Sequence, residues 1–202
     1  MAARPDLSER RLRLFIAVEI PEAWREALLW ATRELETAAP GFCRWVRPEG
    51  FHVTLAFLGN QAPATVPSVS EAMGHATRNA TSFTLRPGTL GSFGSRAALQ
   101  IVWAGIDDDP AGALSSLRQR VTSSLGGTDI AFDETPFRPH ITLGRGRRGR
   151  PREESFAMSA AIEGGRPWAT GEAKVAEIVL FKSDLRPTGS IYTAIERASL
   201  SG

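Results

Sequence analysis

Apolar residues alternate at Leu12, Leu14, Ile16, Val18 and Ile20, which places them on one face of a β-strand. After Pro21 the period changes, and Trp24, Ala27, Leu28, Ala31 and Leu35 recur at helical spacing. The run HVTLAFLG, His52 to Gly59, is rich in β-branched and aromatic residues and predicts a second strand closed by Gly59. The same succession then returns. ALQIVWAGIDDD predicts a strand, Pro110 follows, Ala113, Leu114, Leu117, Val121 and Leu125 trace a helix, and HITLGRGR, His140 to Arg147, predicts a strand closed by Gly144. Two late strands, Val175–Lys182 and Ser190–Glu196, are predicted around a turn at Arg186, Pro187, Thr188 and Gly189, completing the sheet of one half.

Pro21 precedes His52 by 31 residues and Pro110 precedes His140 by 30. Equal spacing of strand, proline-started helix and His-x-Thr strand predicts two similar lobes related by a pseudo-twofold axis. Side chains at i and i+2 of a strand share a face, so His52 goes with Thr54 and His140 with Thr142 on two separate surfaces. Two such surfaces brought face to face would enclose a cleft. The expected organisation is a single domain over residues 1–202, made of two interlocked lobes.

Composition narrows the setting. With 202 residues, 42% of them hydrophobic, the chain can bury one compact core. Cys43 is the only cysteine, so no intramolecular disulfide or Cys-rich metal site can form, which suits a reducing cytoplasm and a packed thiol. Glu19 interrupts the apolar run Leu14–Ile20, and no stretch approaches the roughly 20 apolar residues of a membrane span, so a soluble protein without a signal peptide is expected. A net charge of +2 does not by itself mark a nucleic-acid binder. Arg145, Arg147, Arg148, Arg150 and Arg152 do cluster behind the second motif, where they form either a solvated loop or a stripe for backbone phosphates. With only Lys174 and Lys182 as lysines, this arginine richness also fits a compositional bias of the whole chain.

A lone histidine at the head of an apolar strand is usually structural. Here two of the three histidines hold equivalent places in a repeat, while His75, in a helical stretch after Val69, Ala72 and Met73, has no counterpart. Paired imidazoles can take a proton from a nucleophile and give one to a leaving oxygen. The hydroxyls of Thr54 and Thr142 can hydrogen-bond an anion between them, and an arginine can offset its charge. That set suits cleavage of a phosphoester without a metal. Two histidines without a nearby Asp, Glu or Cys ligand pattern make a poor zinc site.

The segments LFIAVEIP, FHVTLAFLG, RPHITLGR and VLFKSDLRPTGSIYTAIE, in that order and spacing, resemble the RNA 2′,3′-cyclic phosphodiesterases, also called 2′-5′ RNA ligases, of the 2H phosphoesterase superfamily. The resemblance covers nearly the whole chain. It implies an α+β, bilobal fold of two pseudo-twofold-related lobes, each an antiparallel sheet backed by helices, with both motifs lining a central cleft. It implies hydrolysis of a terminal 2′,3′-cyclic phosphate on RNA to a 2′-phosphomonoester, with His52 as general acid toward the 3′ oxygen and His140 as the base that activates water. Thr54 and Thr142 would grip the phosphate, and Arg145 would add a cationic contact.

Phe57 matches a family position that stacks on the terminal base, with a core role as the alternative. Strict alternation puts it on the face opposite His52, so stacking requires a twist or bulge before Gly59. Trp45, just before the first motif, is a candidate for the rim of the cleft. The implied partner is RNA with a cyclic phosphate end, tRNA fragments among the candidates, or a cyclic nucleotide. No cofactor, no metal, no membrane contact and a monomer are expected. The same site can run in reverse and join RNA ends through a 2′-5′ linkage. Other readings are a 2H enzyme acting on a small substrate such as an ADP-ribose cyclic phosphate, and a non-catalytic RNA-binding module.

Overall fold

In the computed structural model, which describes residues 11–108, 112–163, 167–187 and 189–201, the first predicted strand is β1 (Leu12–Glu19) and the first helix α1 (Glu22–Ala38). A short strand β2 (Cys43–Trp45) and a 3-10 turn at Pro48–Gly50 lead into β3 (His52–Gln61). Helix α2 (Val66–Thr77), β4 (Phe83–Ser95) and β5 (Ala98–Asp107) follow, then α3 (Ala113–Gly126) and β6 (His140–Gly146). The chain closes with α4 (Arg152–Ile162), β7 (Ala173–Val175), β8 (Glu177–Arg186) and β9 (Gly189–Ser199). The fold is α+β, an antiparallel curled half-barrel with four helices among the described residues.

The repeat is visible in the strand order β7-β4-β5-β6-β3-β1-β8-β9, where β5-β6 and β3-β1 stand as mirror halves. Val53 and Ile141, the residues next after the two repeated histidines, pair with each other across β3 and β6. Pairing of equivalent residues on antiparallel neighbours places the pseudo-twofold axis between them. The helices obey the same exchange, with α1 packed against α4 and α2 against α3. The two motifs therefore lie side by side on one continuous sheet, and not on two separate surfaces set face to face. The pleat still sends His52, Thr54, His140 and Thr142 to the same side.

The core lies between the sheet and the helices. It takes Leu14, Ile16 and Val18 from β1, Leu28 and Leu35 from α1, and Leu114, Leu117, Val121 and Leu125 from α3. Burying a side chain of this size stabilises the fold by about 1.5–3 kcal/mol before entropy is counted. A smaller cluster of Phe15, Ala17, Val179 and Phe181 occupies the other face of the sheet, with Phe57 and Tyr192 packed on it. β1 is thus buried on both faces, although its alternation predicts one.

Curvature comes from the chain's own connections. Only Ala176 separates β7, at one end of the sheet, from β8, close to the other. The predicted strand Val175–Lys182 is consequently split, with Val175 pairing with Phe83 of β4 while β8 pairs with β1. The backbone at Ser201 also bonds Ala80 and Ser82, tying the end of the chain to the start of β4. A sheet whose ends are so linked must curl.

Two turn signals work differently from expectation. Gly144 lies inside β6 and does not end it. Its missing Cβ lets the Trp45 ring approach, since a methyl group there would stand 2.7 Å from Trp45 Cε3. Pro110 lies outside the described residues. α3 is started by Asp108, whose carboxylate accepts the N–H groups of Leu114 and Ser115, both at 2.9 Å. Gly59 (φ 68°) takes a left-handed conformation within β3, two residues before the strand ends. Cys43 is buried, and burial first, with Glu36 nearby, pushes its thiol up to about 12. Such a thiol is protonated and inert at neutral pH. No helix among the described residues is long and apolar enough to cross a membrane.

Candidate active site

His52 opens β3 and His140 opens β6, and the backbone before each holds its ring in the same way. His52 Nδ1 lies 2.7 Å from the Gly50 carbonyl oxygen, and His140 Nδ1 lies 2.6 Å from the Arg138 carbonyl oxygen. A carbonyl only accepts, so in both rings Nδ1 carries the hydrogen and Nε2 is left for chemistry. The turn that supplies the Gly50 carbonyl is itself anchored, because Arg25 of α1 donates to the carbonyls of Pro48 at 2.8 Å and Phe51 at 3.4 Å.

The rings sit in unequal surroundings. His52 stacks on Phe15 with centroids 4.7 Å apart, meets the edge of Tyr192 at 5.2 Å, and has Phe181 at 6.3 Å. Burial among these rings pushes its pKa down to about 4, against the pull of the Gly50 carbonyl and with smaller help from His140 and Arg25. His140 meets Phe93 at 5.1 Å and Trp103 at 6.2 Å. Its pKa is also lowered, first by burial and then by Arg145, against the Arg138 carbonyl. Burial therefore favours the neutral form of both imidazoles.

The antiparallel register through Val53 and Ile141 brings Thr54 toward His140 and Thr142 toward His52. The four side chains line one cleft of about 540 Å³. Arg145 and Phe57 line it too. Phe57 arrives by an irregularity in β3. Opposite β1 the register skips Leu55 and Leu58, and burial of the adjacent Leu55 and Ala56 breaks the alternation, which returns Phe57 to the face of His52. Its ring carries the Arg13 guanidinium 4.3 Å from the centroid.

The profile of the 2′-5′ RNA ligase superfamily matches residues 21–187, most of the chain. The chain belongs to that superfamily. A relative from Geobacillus stearothermophilus named RNA 2′,3′-cyclic phosphodiesterase is 31% identical over 184 residues, covering 91% of this chain and 56% of its own length. The chain thus spans about half of that relative. A relative of the same name from Thermus thermophilus is 31% identical over 199 residues, covering 95% of this chain and 91% of its own. Among solved structures, TT0787 of Thermus thermophilus superposes with a TM-score of 0.73 at 29% identity, over 94% of this chain and 98% of that one. The Escherichia coli LigT complexed with 3′-AMP gives 0.73 at 27%, over 96% and 100%.

Within this 2′-5′ RNA ligase superfamily cleft, the sequence motifs locate the polar centre but miss much of the wall. Of the arginines following the second motif only Arg145 lines the cleft, whereas Arg150 pairs with Glu154 and donates to the Pro40 carbonyl. The remaining cationic wall comes from Arg13 on β1, Arg44 on β2, Arg47 after it, and Arg186 at the β8–β9 turn. None of these five cleft arginines makes an ion pair among the described residues, and no described Asp or Glu lines the cleft. Tyr192 is the other omission, although it is the only tyrosine of the chain and stands out for that reason. Trp45 lines the cleft as well, its Nε1 donating to Glu36 at 2.7 Å. His75 is exposed on α2 with Glu71 3.6 Å away, and it does not line the cleft.

Proposed function

We propose that this protein hydrolyses 2′,3′-cyclic phosphate ends of RNA by two-histidine acid–base catalysis. The observation that carries the reading is the pair of imidazoles with Nδ1–H tied to backbone carbonyls, lining a cationic cleft together with two threonines. Thr54, Thr142 and Arg145 hold the oxygens of the cyclic phosphate. His140 Nε2 takes a proton from water as the water oxygen bonds to phosphorus. The bond from phosphorus to the 3′ oxygen breaks, and His52, protonated on both nitrogens in the reacting complex, gives its Nε2 proton to that oxygen, leaving a 2′-phosphomonoester and a 3′ hydroxyl. Phe57 stacks on the terminal base. With the 5′ hydroxyl of a second RNA in place of water, the same steps bond its oxygen to phosphorus, break the bond to the 3′ oxygen and join the ends through a 2′-5′ linkage, leaving a 3′ hydroxyl.

No group of three or more His, Cys, Asp or Glu among the described residues could hold a metal ion, so the reading assigns the charge work to arginine and threonine. The test is to incubate an oligoribonucleotide ending in a 2′,3′-cyclic phosphate with the protein and EDTA and to identify the end formed. A 2′-phosphate is expected. Loss of turnover on chelation would overturn the metal-free mechanism, and a 3′-phosphate would overturn the departure of the 3′ oxygen. Bound but unchanged RNA would leave a binding module, and faster turnover of an ADP-ribose cyclic phosphate would move the reading to a small substrate.

The pH dependence follows from the lowered pKa values. Catalysis requires one imidazole charged and the other neutral, so kcat/KM is bell-shaped and peaks midway between the two free-enzyme pKa values. Both lie below the ordinary 6.5, so the peak is expected below pH 6.5 whichever ring is the acid. A bound phosphate anion favours the charged imidazole and moves the kcat profile to higher pH. A kcat/KM profile that is flat, or that peaks above pH 6.5, would contradict this.

A further inference from the structure

We infer that the cleft holds a second-nucleotide subsite, formed by Arg44, Arg47 and Arg186, which takes the residue on the 5′ side of the terminal one through its phosphates. The inference rests on the phosphodiesterase reading above. A cyclic phosphodiester carries a single negative charge, and Arg145 with the two threonines already faces it. Arg13, Arg44, Arg47 and Arg186 line the same cleft with no carboxylate among them. Arg44 and Arg145 are moreover direct partners across β2 and β6. Like charges in that position repel, and an anion between them removes the cost. The cleft therefore has more positive charge than a mononucleotide can use.

Placement of these groups selects a nucleic-acid strand. Arg44 and Arg47 lie along one extended segment of the cleft wall, a positively charged track of the kind that follows the backbone of a single strand. Trp45 between them turns its ring to the helix side, where Nε1 bonds Glu36 of α1 and the ring packs on the main core over Gly144. Arg44 donates to the carbonyls of Arg186 and Pro187, which ties β2 to the β8–β9 turn and sets Arg186 on the same rim. Because the cyclic phosphate ends the chain at its 3′ side, every further phosphate of the substrate lies on the 5′ side.

The experiment compares kcat/KM for a nucleoside 2′,3′-cyclic phosphate, a trinucleotide with the same end, and a cyclic phosphate bearing a 5′ pyrophosphate, at several salt concentrations. The trinucleotide is expected to be favoured over the mononucleotide by about tenfold or more, the scale of one hydrogen bond to a charged group. Its log–log salt slope should be steeper by about 0.7 for each added phosphate contact. Arg47→Gln with Arg186→Gln is expected to flatten that slope and to shrink the preference. Equal rates and equal slopes for wild-type protein on mono- and trinucleotide would overturn the subsite while leaving the phosphodiesterase reading intact. Equal benefit from the pyrophosphate compound would overturn the assignment to an RNA strand. Turnover of none of the three would instead sink the reading on which the inference stands. The wild-type comparison decides even where a variant does not fold.

Discussion

His140→Ala and His52→Ala are each expected to lower kcat by on the order of 10²–10⁴-fold while circular dichroism still reports the folded sheet. Each ring supplies Nε2 to the cleft through a hydrogen bond from Nδ1–H to a carbonyl that precedes its strand. Removing the ring removes the proton carrier and leaves the threonines and arginines in place. Because the acid and the base act in one transition state, the double variant should be little slower than the worse single variant. The two substitutions should differ in stability. His52 is enclosed by Phe15, Phe181 and Tyr192, so its loss opens a gap among rings, whereas His140 has a sparser aromatic border. Near-normal turnover by either folded variant would remove the two-histidine mechanism.

Acid sensitivity centred on His52 is the second large effect. Its folded pKa lies near 4 and its ordinary value is 6.5. Between these values the unfolded chain binds a proton that the folded protein refuses, so stability falls as pH drops through this window. The contribution is fully present above pH 6.5 and is lost by about pH 4, where the folded protein is also protonated. One pKa unit corresponds to about 1.4 kcal/mol, so the loss from about pH 8 to about pH 5 is roughly 2 kcal/mol for this ring. His140 acts in the same direction. Denaturant unfolding at the two pH values, compared between wild type and His52→Gln, measures the difference directly. Identical pH dependence in the two proteins would show that burial of the neutral imidazole among Phe15, Phe181 and Tyr192 carries no such cost. Inorganic phosphate should narrow the gap in the wild type, since an anion in the cleft favours the charged ring.

Both effects trace to a site whose polar centre can be read from the chain and whose environment cannot. His52, Thr54, His140 and Thr142 share one face because a strand has period two, and their duplication marks them as a pair before any tertiary contact is known. The depressed pKa of His52 has no such signature. It arises from Phe15 on β1, Phe181 on β8 and Tyr192 on β9, which are distant in sequence and meet only because β3, β1, β8 and β9 are neighbours in the sheet. The basic cluster after the second motif illustrates the converse. Arg147 and Arg148 are close to Arg145 in sequence, yet the other lining arginines come from β1, β2 and the β8–β9 turn. Charge density along a chain predicts a surface field only when the fold keeps that stretch together.

The strands of the two motifs, the two helices with their buried stripes, the twofold repeat and the four residues at its heart are all legible in the chain alone, while the α+β class comes with the family resemblance. These depend on local periodicity and on a pattern written twice. That the halves share one sheet, paired at Val53 and Ile141, emerges only on folding, as does the curl that brings β7 next to β4 and β8 next to β1. Folding also turns Phe57 to the cleft, because the register slips in β3 opposite β1 depend on how two strands fit and not on either strand alone. The division follows the range of the interactions. Backbone geometry and hydrophobic period act over a few residues, whereas strand pairing, ring enclosure and converging arginines depend on segments far apart in the chain, as Arg44 and Arg186 are.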